Sequence, residues 1–175
     1  MRREFAVVPP DLRWALFLPM LGLLAGLIGI ALAAREEPLA WLVALPVIVG
    51  ATGLIVWSVR RRSVVLDGDR LRIRGGLNGT DVSASGLDLD AARVVNLGET
   101  TELRPSWKTF GTSMPGFRAG HFRLRNRARA FLLVTDTARV LALPERDGRM
   151  LLLSLQKPQA LLEALRAVAG DPRRR

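Results

Sequence analysis

The chain has 175 residues, a formal net charge of +10 at pH 7, and neither cysteine nor tyrosine. Its length suits one domain with a small additional part, and the lack of cysteine excludes disulfides, thiolate metal ligands and cysteine nucleophiles. The basic balance favours nucleic acid, an anionic membrane surface or an acidic partner, without choosing among them.

Two uncharged, apolar runs occupy the first third of the chain, at residues 14–34 and 39–59. Each is about as long as the 20 or so helical residues that cross a bilayer. Arginines precede the first run and follow the second, so the positive-inside tendency predicts that both ends lie in the cytoplasm. We therefore expect a transmembrane helical hairpin in the cell (plasma) membrane, a multi-pass arrangement that follows a cytoplasmic N-terminal tail of residues 1–13.

A cleaved signal peptide is the alternative interpretation of the first run, because the letters ALAA before Arg35 are typical of a signal-peptidase site. The run is longer than the apolar core of most signal peptides, and a second apolar run follows at once. These two features favour the hairpin.

The remaining chain predicts a mainly β domain over residues 63–168, made of short apolar or alternating runs separated by turn residues. In the clearest case, RLRIRG, Leu71 and Ile73 face one way and the arginines between them face the other. A stretch rich in glycine and proline, GETTELRPSWKTFGTSMPGFRAG at residues 98–120, favours a long irregular loop.

The last element, KPQALLEALRAVAG, predicts an amphipathic helix that closes the β domain. Pro158 lies near its start, leucines recur at helical spacing, and Gly170 marks its end. A short basic tail, residues 169–175, follows the domain.

The segment FGTSMPGFRAGHFRLRNRARAFLLVTD, residues 110–136, together with RVLALP, LLLSLQKP and ALLEALR after it, resembles the bacterial PH-domain family. In that family one or two membrane helices precede a small PH-like barrel. The resemblance implies two packed antiparallel sheets with one end closed by a helix. The positions that carry it most specifically are Gly111, Pro115, Gly116, Gly120, Phe122 and Leu124.

Two positions depart from the family pattern. His121 stands where an aromatic residue is common, and Asn126-Arg127 stands where Asn-Gly is common. Because arginine disfavours positive φ, we expect a hairpin loop that is longer, or differently registered, than a two-residue type I′ turn.

His121 is the sole histidine of the chain, and no nucleophile motif, metal-ligand motif or phosphate-binding glycine loop accompanies it. We therefore assign no catalytic, cofactor-binding or metal-binding residue and expect no cofactor. A membrane-bound enzyme that uses His121 is kept as an alternative function, as is a purely structural subunit of a membrane complex. Nucleic acid is not expected, since no helix-turn-helix or paired base-stacking aromatics appear.

The candidate binding residues are the outward arginines of two predicted strands, Arg70, Arg72 and Arg74 on the first and Arg123 and Arg125 on the second. Each basic residue near an anionic leaflet contributes on the order of 1 kcal/mol, although strands also expose polar residues simply to meet water. We expect a non-catalytic binding or scaffolding domain at the cytoplasmic membrane surface. Its expected partners are the lipid bilayer and another membrane protein or a second copy of the chain, with anionic lipid as a further candidate.

In the letters HFRLR, the alternation of a strand predicts that Phe122 and Leu124 point into the barrel. The same alternation predicts that His121 and the neighbouring arginines point outward.

Overall fold

A computed structural model describes residues 2–9, 12–33, 40–76 and 78–170. Within these ranges the chain forms three α-helices and ten strands. The helices are α1 (Leu12–Ala33), α2 (Ala40–Arg60) and α3 (Pro158–Ala169). The strands are β1 (Arg2–Phe5), β2 (Arg62–Asp67), β3 (Arg70–Gly75), β4 (Asn78–Ser83), β5 (Arg93–Val95), β6 (Pro105–Met114), β7 (Phe117–Leu124), β8 (Arg129–Val134), β9 (Val140–Pro144) and β10 (Met150–Leu153).

The strands form two sheets that enclose the main core. One sheet has the order β1-β2-β3-β4 and the other the order β5-β9-β10-β8-β7-β6, in which β10 and β8 run parallel. On β3, Leu71 and Ile73 are fully buried while the arginines between them are exposed, which confirms the predicted alternation. Two sheets with a C-terminal helix are present, as the resemblance implies, but the six-stranded sheet is mixed and not purely antiparallel, because β10 and β8 run parallel.

The main core lies between the two sheets, and a second core lies on the other face of the six-stranded sheet. The second core is covered by the segment that follows β5, through Leu97 and Leu103. Odd-numbered residues of β8, such as Leu133, enter the main core and even-numbered ones, such as Leu132, enter the second. The six-stranded sheet is thus buried on both faces over much of its area.

Helix α3 packs against the main core, as the sequence predicts. It begins at Pro158, whose missing N–H costs nothing in the first turn. Leu161 and Leu165 are fully buried in the main core, and Ala164 lies beside them. The spacing of these three residues places them on one face of the helix.

The N-terminal residues join the two sheets, although the sequence analysis assigned no strand to them. β1 pairs with β2, so that Phe5 lies opposite Val64. Just beyond β1, the Val8 N–H donates to the Ser154 carbonyl at 3.1 Å, and the Thr135 hydroxyl donates to the Val8 carbonyl at 2.7 Å. This segment therefore connects the two sheets, because it pairs with β2 and is hydrogen-bonded to residues that follow β8 and β10.

Most of the stretch predicted as a long loop is a β-hairpin, so that prediction is wrong. Only residues 98–104 are irregular, with a short 3-10 turn, and from there β6 and β7 run to a two-residue connection at Pro115-Gly116. Gly116 has a φ of 72°, and proline followed by glycine at positive φ is the signature of a type II turn. Pro115 and Gly116 form the turn of this hairpin, and Gly111 and Gly120 form the close contact between its two strands.

The connection from β7 to β8 is longer than two residues, which confirms the sequence-based expectation. The Arg127 N–H donates to the Leu124 carbonyl at 2.9 Å, and the Leu124 N–H donates to the Ala128 carbonyl at 3.0 Å. Arg127 adopts a φ of 68°. A turn followed by one residue at positive φ is the common form of a three-residue hairpin loop.

The two apolar runs form α1 and α2, which pack against each other, with Gly26 of α1 lying against Ile48 of α2. Among the residues that the structure describes, no helix is long and apolar enough to cross a membrane. The predicted transmembrane hairpin is therefore wrong, and so is the predicted multi-pass placement in the cell membrane. A long run without charge predicts an apolar helix, but it does not by itself separate a membrane span from a helix that packs against a neighbour.

Two other parts of those predictions fall outside the described residues. The turn between the apolar runs, which includes Arg35, lies in residues 34–39, whereas the first three of the ALAA letters belong to α1. The end of the basic tail lies in residues 171–175.

We predict that Leu165→Ala destabilises the chain by about 2–5 kcal/mol, because it leaves a cavity in the main core where α3 meets the sheets. The exposed neighbour Glu163 supplies a control, since Glu163→Ala should stay within about 0.5 kcal/mol of the wild type. Denaturant unfolding of both variants measures the difference. Equal, small effects at the two positions would mean that α3 does not dock.

Candidate functional site

β6 and β7 approach each other most closely at Gly111 and Gly120, which lie directly opposite one another. Their φ angles are 144° and 126°, a conformation that other residues rarely adopt. A Cβ atom on Gly111 would collide with the Ala119 carbonyl oxygen, and one on Gly120 would collide with the Phe110 carbonyl oxygen. Both positions of the family motif thus require glycine for the same reason, the proximity of the other strand.

Next to the glycine pair, a row of side chains crosses β6, β7 and β8 on one face of the sheet. Phe110 is paired with His121, and His121 with Phe131. Paired residues of neighbouring strands point to the same side, and Phe131 belongs to the main core. The row therefore lies on the face that is buried between the sheets elsewhere in the molecule.

A second row runs parallel to the first and contains Trp107, Arg123 and Arg129, which are paired in that order across the same three strands. The four-stranded sheet does not extend over this part of the face. As a result Trp107 is 73% exposed and Phe110 is 69% exposed. Large aromatic side chains normally bury most of their surface, so these two are candidates for contact with a ligand.

A groove of about 460 Å³ runs between this face and β4, and we call it the aromatic groove. Thr80 of β4 lines one wall. The opposite wall and floor are lined by Thr109, Phe110, His121, Arg129 and Phe131. The volume falls in the range of about 300–1,000 Å³ that is typical of ligand sites.

The rim of the aromatic groove is mainly basic. Arg123, Arg129 and Arg149 line it, and Glu145 is the acidic residue among its lining. Burial raises the pKa of Glu145, and the nearby Asp147 carboxylate raises it further, while the positive charge of Arg149 acts in the opposite direction. Arg149 already pairs with the Asp147 carboxylate, with Nε and Oδ2 3.0 Å apart, so the positive charge that favours an anion at the rim comes mainly from Arg123 and Arg129.

The family model for the bacterial PH domain matches residues 62–169, more than half of the chain. The chain belongs to the bacterial PH-domain family. Neither the curated proteins nor the solved structures contain a significant match. Family membership indicates a binding or scaffolding domain. The matched range covers β2 through α3 but neither β1 nor the two helices that precede β2.

In this PH domain His121 is exposed and lines the aromatic groove. Its ring meets the ring of Phe131 edge-on, with centroids 5.1 Å apart and an interplanar angle of 76°. Across the described ranges no cluster of three or more histidine, aspartate or glutamate residues could hold a metal ion.

The three arginines of β3 share one exposed strand face, but their surroundings differ. All are exposed on the outer face of the PH domain's four-stranded sheet. Arg72 lies 4.0 Å from the Asp81 carboxylate of β4, with both side chains about half exposed, so its charge is partly compensated. Arg74 borders a separate cavity at the far end of the strand, whereas Arg70 does not.

Arg123 and Arg125 are separated as well, because Arg123 lines the aromatic groove while Arg125 lies in the turn beyond β7. The predicted burial pattern of the HFRLR letters is correct, since Phe122 and Leu124 are buried and their neighbours exposed. The predicted direction is wrong: Phe122 and Leu124 enter the second core, on the face away from the four-stranded sheet. The face of His121 is the one that points between the sheets.

The sequence pattern did not indicate Trp107 and Phe110, because both lie in the stretch predicted as a loop. The two residues are three positions apart, which breaks the alternation of a regular strand, and they reach the same face because the pairing shifts between Lys108 and Phe110. Their exposure depends in addition on the limited extent of the opposite sheet, which no local pattern encodes.

We predict that Glu145→Gln stabilises the PH domain at neutral pH but not in acid. The folded chain holds the Glu145 proton more tightly than the unfolded chain, so protonation favours folding below the unfolded pKa of about 4.3. This contribution is lost as the pH rises through the higher folded pKa. Glutamine avoids the loss, with a gain on the order of 0.5 kcal/mol for a partly exposed group.

Melting temperatures of both chains at pH 7 and near pH 4 measure this difference. Glu163→Gln makes the same change of charge on the exposed face of α3 and is the control for net charge. A stabilisation by Glu145→Gln that is equally large at both pH values would contradict the assigned cause.

Proposed function

We propose that this chain is a non-catalytic binding module that holds an extended, acidic segment of a partner protein in the aromatic groove. The observation that carries the proposal is the pair of exposed aromatic side chains, Trp107 and Phe110, beside a groove with an arginine rim. Three features of the groove support this occupant: its aromatic surface, its free strand edge and its charge.

The aromatic surface provides the apolar contacts. Trp107 and Phe110 project from the same strand to the same side, and the floor between the walls contains the rings of His121 and Phe131. Residues that dominate protein interfaces are enriched in tryptophan, tyrosine and arginine, and such residues typically sit in a cluster surrounded by weaker contacts. Arg123 and Arg129 line the groove, and Trp107 lies beside it in the same row as these arginines.

The strand edge favours an extended chain. β6 is the last strand of the six-stranded sheet and pairs with β7 alone. The pairing shifts between Pro105 and Trp107 and again between Lys108 and Phe110, while from Gly111 to Met114 it is regular. An edge strand offers backbone donors and acceptors that a bound extended segment can pair with, and the regular part lies directly beyond Phe110.

The charge favours an acidic segment. Arg123 and Arg129 stand opposite each other at the rim, and the whole chain has a net charge of +10. Like charges this close repel each other, and a carboxylate between the two guanidinium groups relieves the repulsion. Charge complementarity of this kind accelerates association and selects partners more than it adds affinity.

A random peptide library selected on the full-length chain tests this proposal. We expect the enriched peptides to combine acidic and apolar residues, and we expect their affinity to fall as salt is added, because exposed charges are screened. Trp107→Ala combined with Phe110→Ala should weaken binding at least about tenfold, as expected for interface residues of this kind. Lys108→Ala is the matched control, since Lys108 lies on β6 but points to the opposite face.

The charge of the rim has its own control. Arg123→Glu with Arg129→Glu should abolish binding of the acidic peptides, whereas Arg125→Glu, in the turn outside the groove, should have little effect. Enrichment of basic peptides, or peptides that bind the aromatic double variant as well as the wild type, would refute the proposal. Self-association of the chain that is lost in the aromatic double variant would identify a second copy as the occupant instead.

A further inference from the structure

A second cavity, of about 850 Å³, opens between the end of α2, the start of β2 and the last residues of β3. We call it the arginine cavity, because Arg61, Arg62 and Arg74 line it. It lies at the end of the β2-β3 hairpin opposite to the Asp67-Gly68 turn. Thr80 borders both this cavity and the aromatic groove, so the two sites are neighbours.

The arginine cavity has an excess of positive charge. Asp81 is the acidic residue among its lining, and its carboxylate already faces Arg72, which lies outside the cavity, at 4.0 Å. The carboxyl end of a helix carries partial negative charge, so α2 does not attract an anion here. The attraction comes from the three guanidinium groups.

Arg62 is the most unusual of the three. Its Nη1 atom is buried and has no hydrogen-bond partner among the residues that the structure describes. Burial lowers the pKa of Arg62, which shows that the cavity wall is unfavourable to its charge. A buried N–H group without an acceptor costs free energy, and partial burial of the guanidinium adds to that cost. Nη1 has almost no exposed surface, so an acceptor oxygen from outside the chain reaches it when the side chain turns towards the cavity, and that contact would reduce both costs.

Arg61 is held in position by a different contact. Its guanidinium carbon lies 4.4 Å from the ring centroid of Trp57, one turn earlier at the end of α2, a distance typical of a cation–π interaction. Stacking orders the guanidinium plane and leaves the edge N–H groups available to a ligand.

We infer that the arginine cavity binds a phosphate group. A guanidinium presents parallel N–H donors that match two oxygens of a phosphate, and a tetrahedral anion can accept from several such groups at once. Asn78 and Thr80 add neutral polar side chains to the lining. This inference does not rest on the proposed peptide groove, because its probe is phosphate itself.

Calorimetric titration of the full-length chain with inorganic phosphate, at constant ionic strength, tests the inference. Arg62→Met should weaken phosphate binding roughly tenfold or more, since it removes a charge-assisted hydrogen bond. In the absence of phosphate the same variant should unfold at the same temperature as the wild type or a higher one, because it removes a partly buried cation whose Nη1 atom has no hydrogen-bond partner among the described residues. Arg70→Met is the matched control, since Arg70 is exposed on the same sheet but does not line the cavity.

Arg74→Gln provides a second variant on an exposed position of β3. It should also weaken phosphate binding, so that the test remains decisive if Arg62→Met fails to fold. Binding that is unchanged in Arg74→Gln, or reduced as much in Arg70→Met as in Arg62→Met, would overturn the inference.

The phosphate has two possible sources, a free phosphate compound or a lipid headgroup. Vesicles of phosphatidic acid and of phosphatidylcholine separate them. A headgroup source predicts that the chain is retained better on phosphatidic acid vesicles, and that Arg62→Met but not Arg70→Met removes the difference. A free source predicts calorimetric binding of inorganic phosphate without that difference. If Arg62→Met changes neither measurement, the cavity is not a phosphate site.

Discussion

Gly111 and Gly120 face each other where β6 and β7 come too close for any Cβ atom. This contact holds β6, the outermost strand of the six-stranded sheet, in register with β7, and Phe110 lies directly opposite His121. An alanine at either glycine would push the strands apart, because its Cβ would meet a backbone carbonyl that cannot move without breaking the ladder. The position of the exposed aromatic residues therefore depends on a steric constraint one residue away from them.

The distribution of burial explains where a binding surface remains. The four-stranded sheet and α3 cover one face of the six-stranded sheet, and the segment with Leu97 and Leu103 covers the other. The N-terminal residues close the seam beside β2 through the Val8 contacts. On the opposite side, between β4 and β6, the inner face stays open and contains the row that begins at Trp107. The groove is thus the part of a sandwich interface that the second sheet does not reach.

The two proposed sites use different physical chemistry. The aromatic groove combines exposed rings with a cationic rim, which suits a segment of chain that buries apolar side chains and neutralises charge. The arginine cavity is lined by three arginines, and one buried guanidinium nitrogen among them has no hydrogen-bond partner in the part of the chain that the structure describes, which suits a small oxyanion. Each site is tested with its own probe, peptides for the groove and phosphate for the cavity, so a negative result at one site does not refute the proposal for the other.

Local sequence patterns predicted the elements whose residues alternate or recur with a clear period. The alternation on β3 and the apolar face of α3 are correct, and the resemblance carried by Gly111 to Leu124 led to the right family. β1 was missed because the letters RREF show no buried face and are exposed or partly exposed, so this strand is specified by backbone pairing with residues about sixty positions away.

The other errors have equally specific causes. β6 was missed because its glycine and the Pro115-Gly116 turn look like loop residues in isolation. The membrane prediction failed because an uncharged run of the right length does not by itself specify a span.

The central claim is that the inner face of the sheet is open at Trp107 and Phe110 in the free chain. Hydroxyl-radical footprinting of the full-length chain measures this directly, because the rate at which an aromatic ring is oxidised follows its exposure to water. Trp107 and Phe110 are predicted to be oxidised much faster than Phe117 and Phe122, which are 2% and 4% exposed. If Phe110 is oxidised as slowly as Phe117 in the monomeric, ligand-free chain, the groove is closed and the account is contradicted.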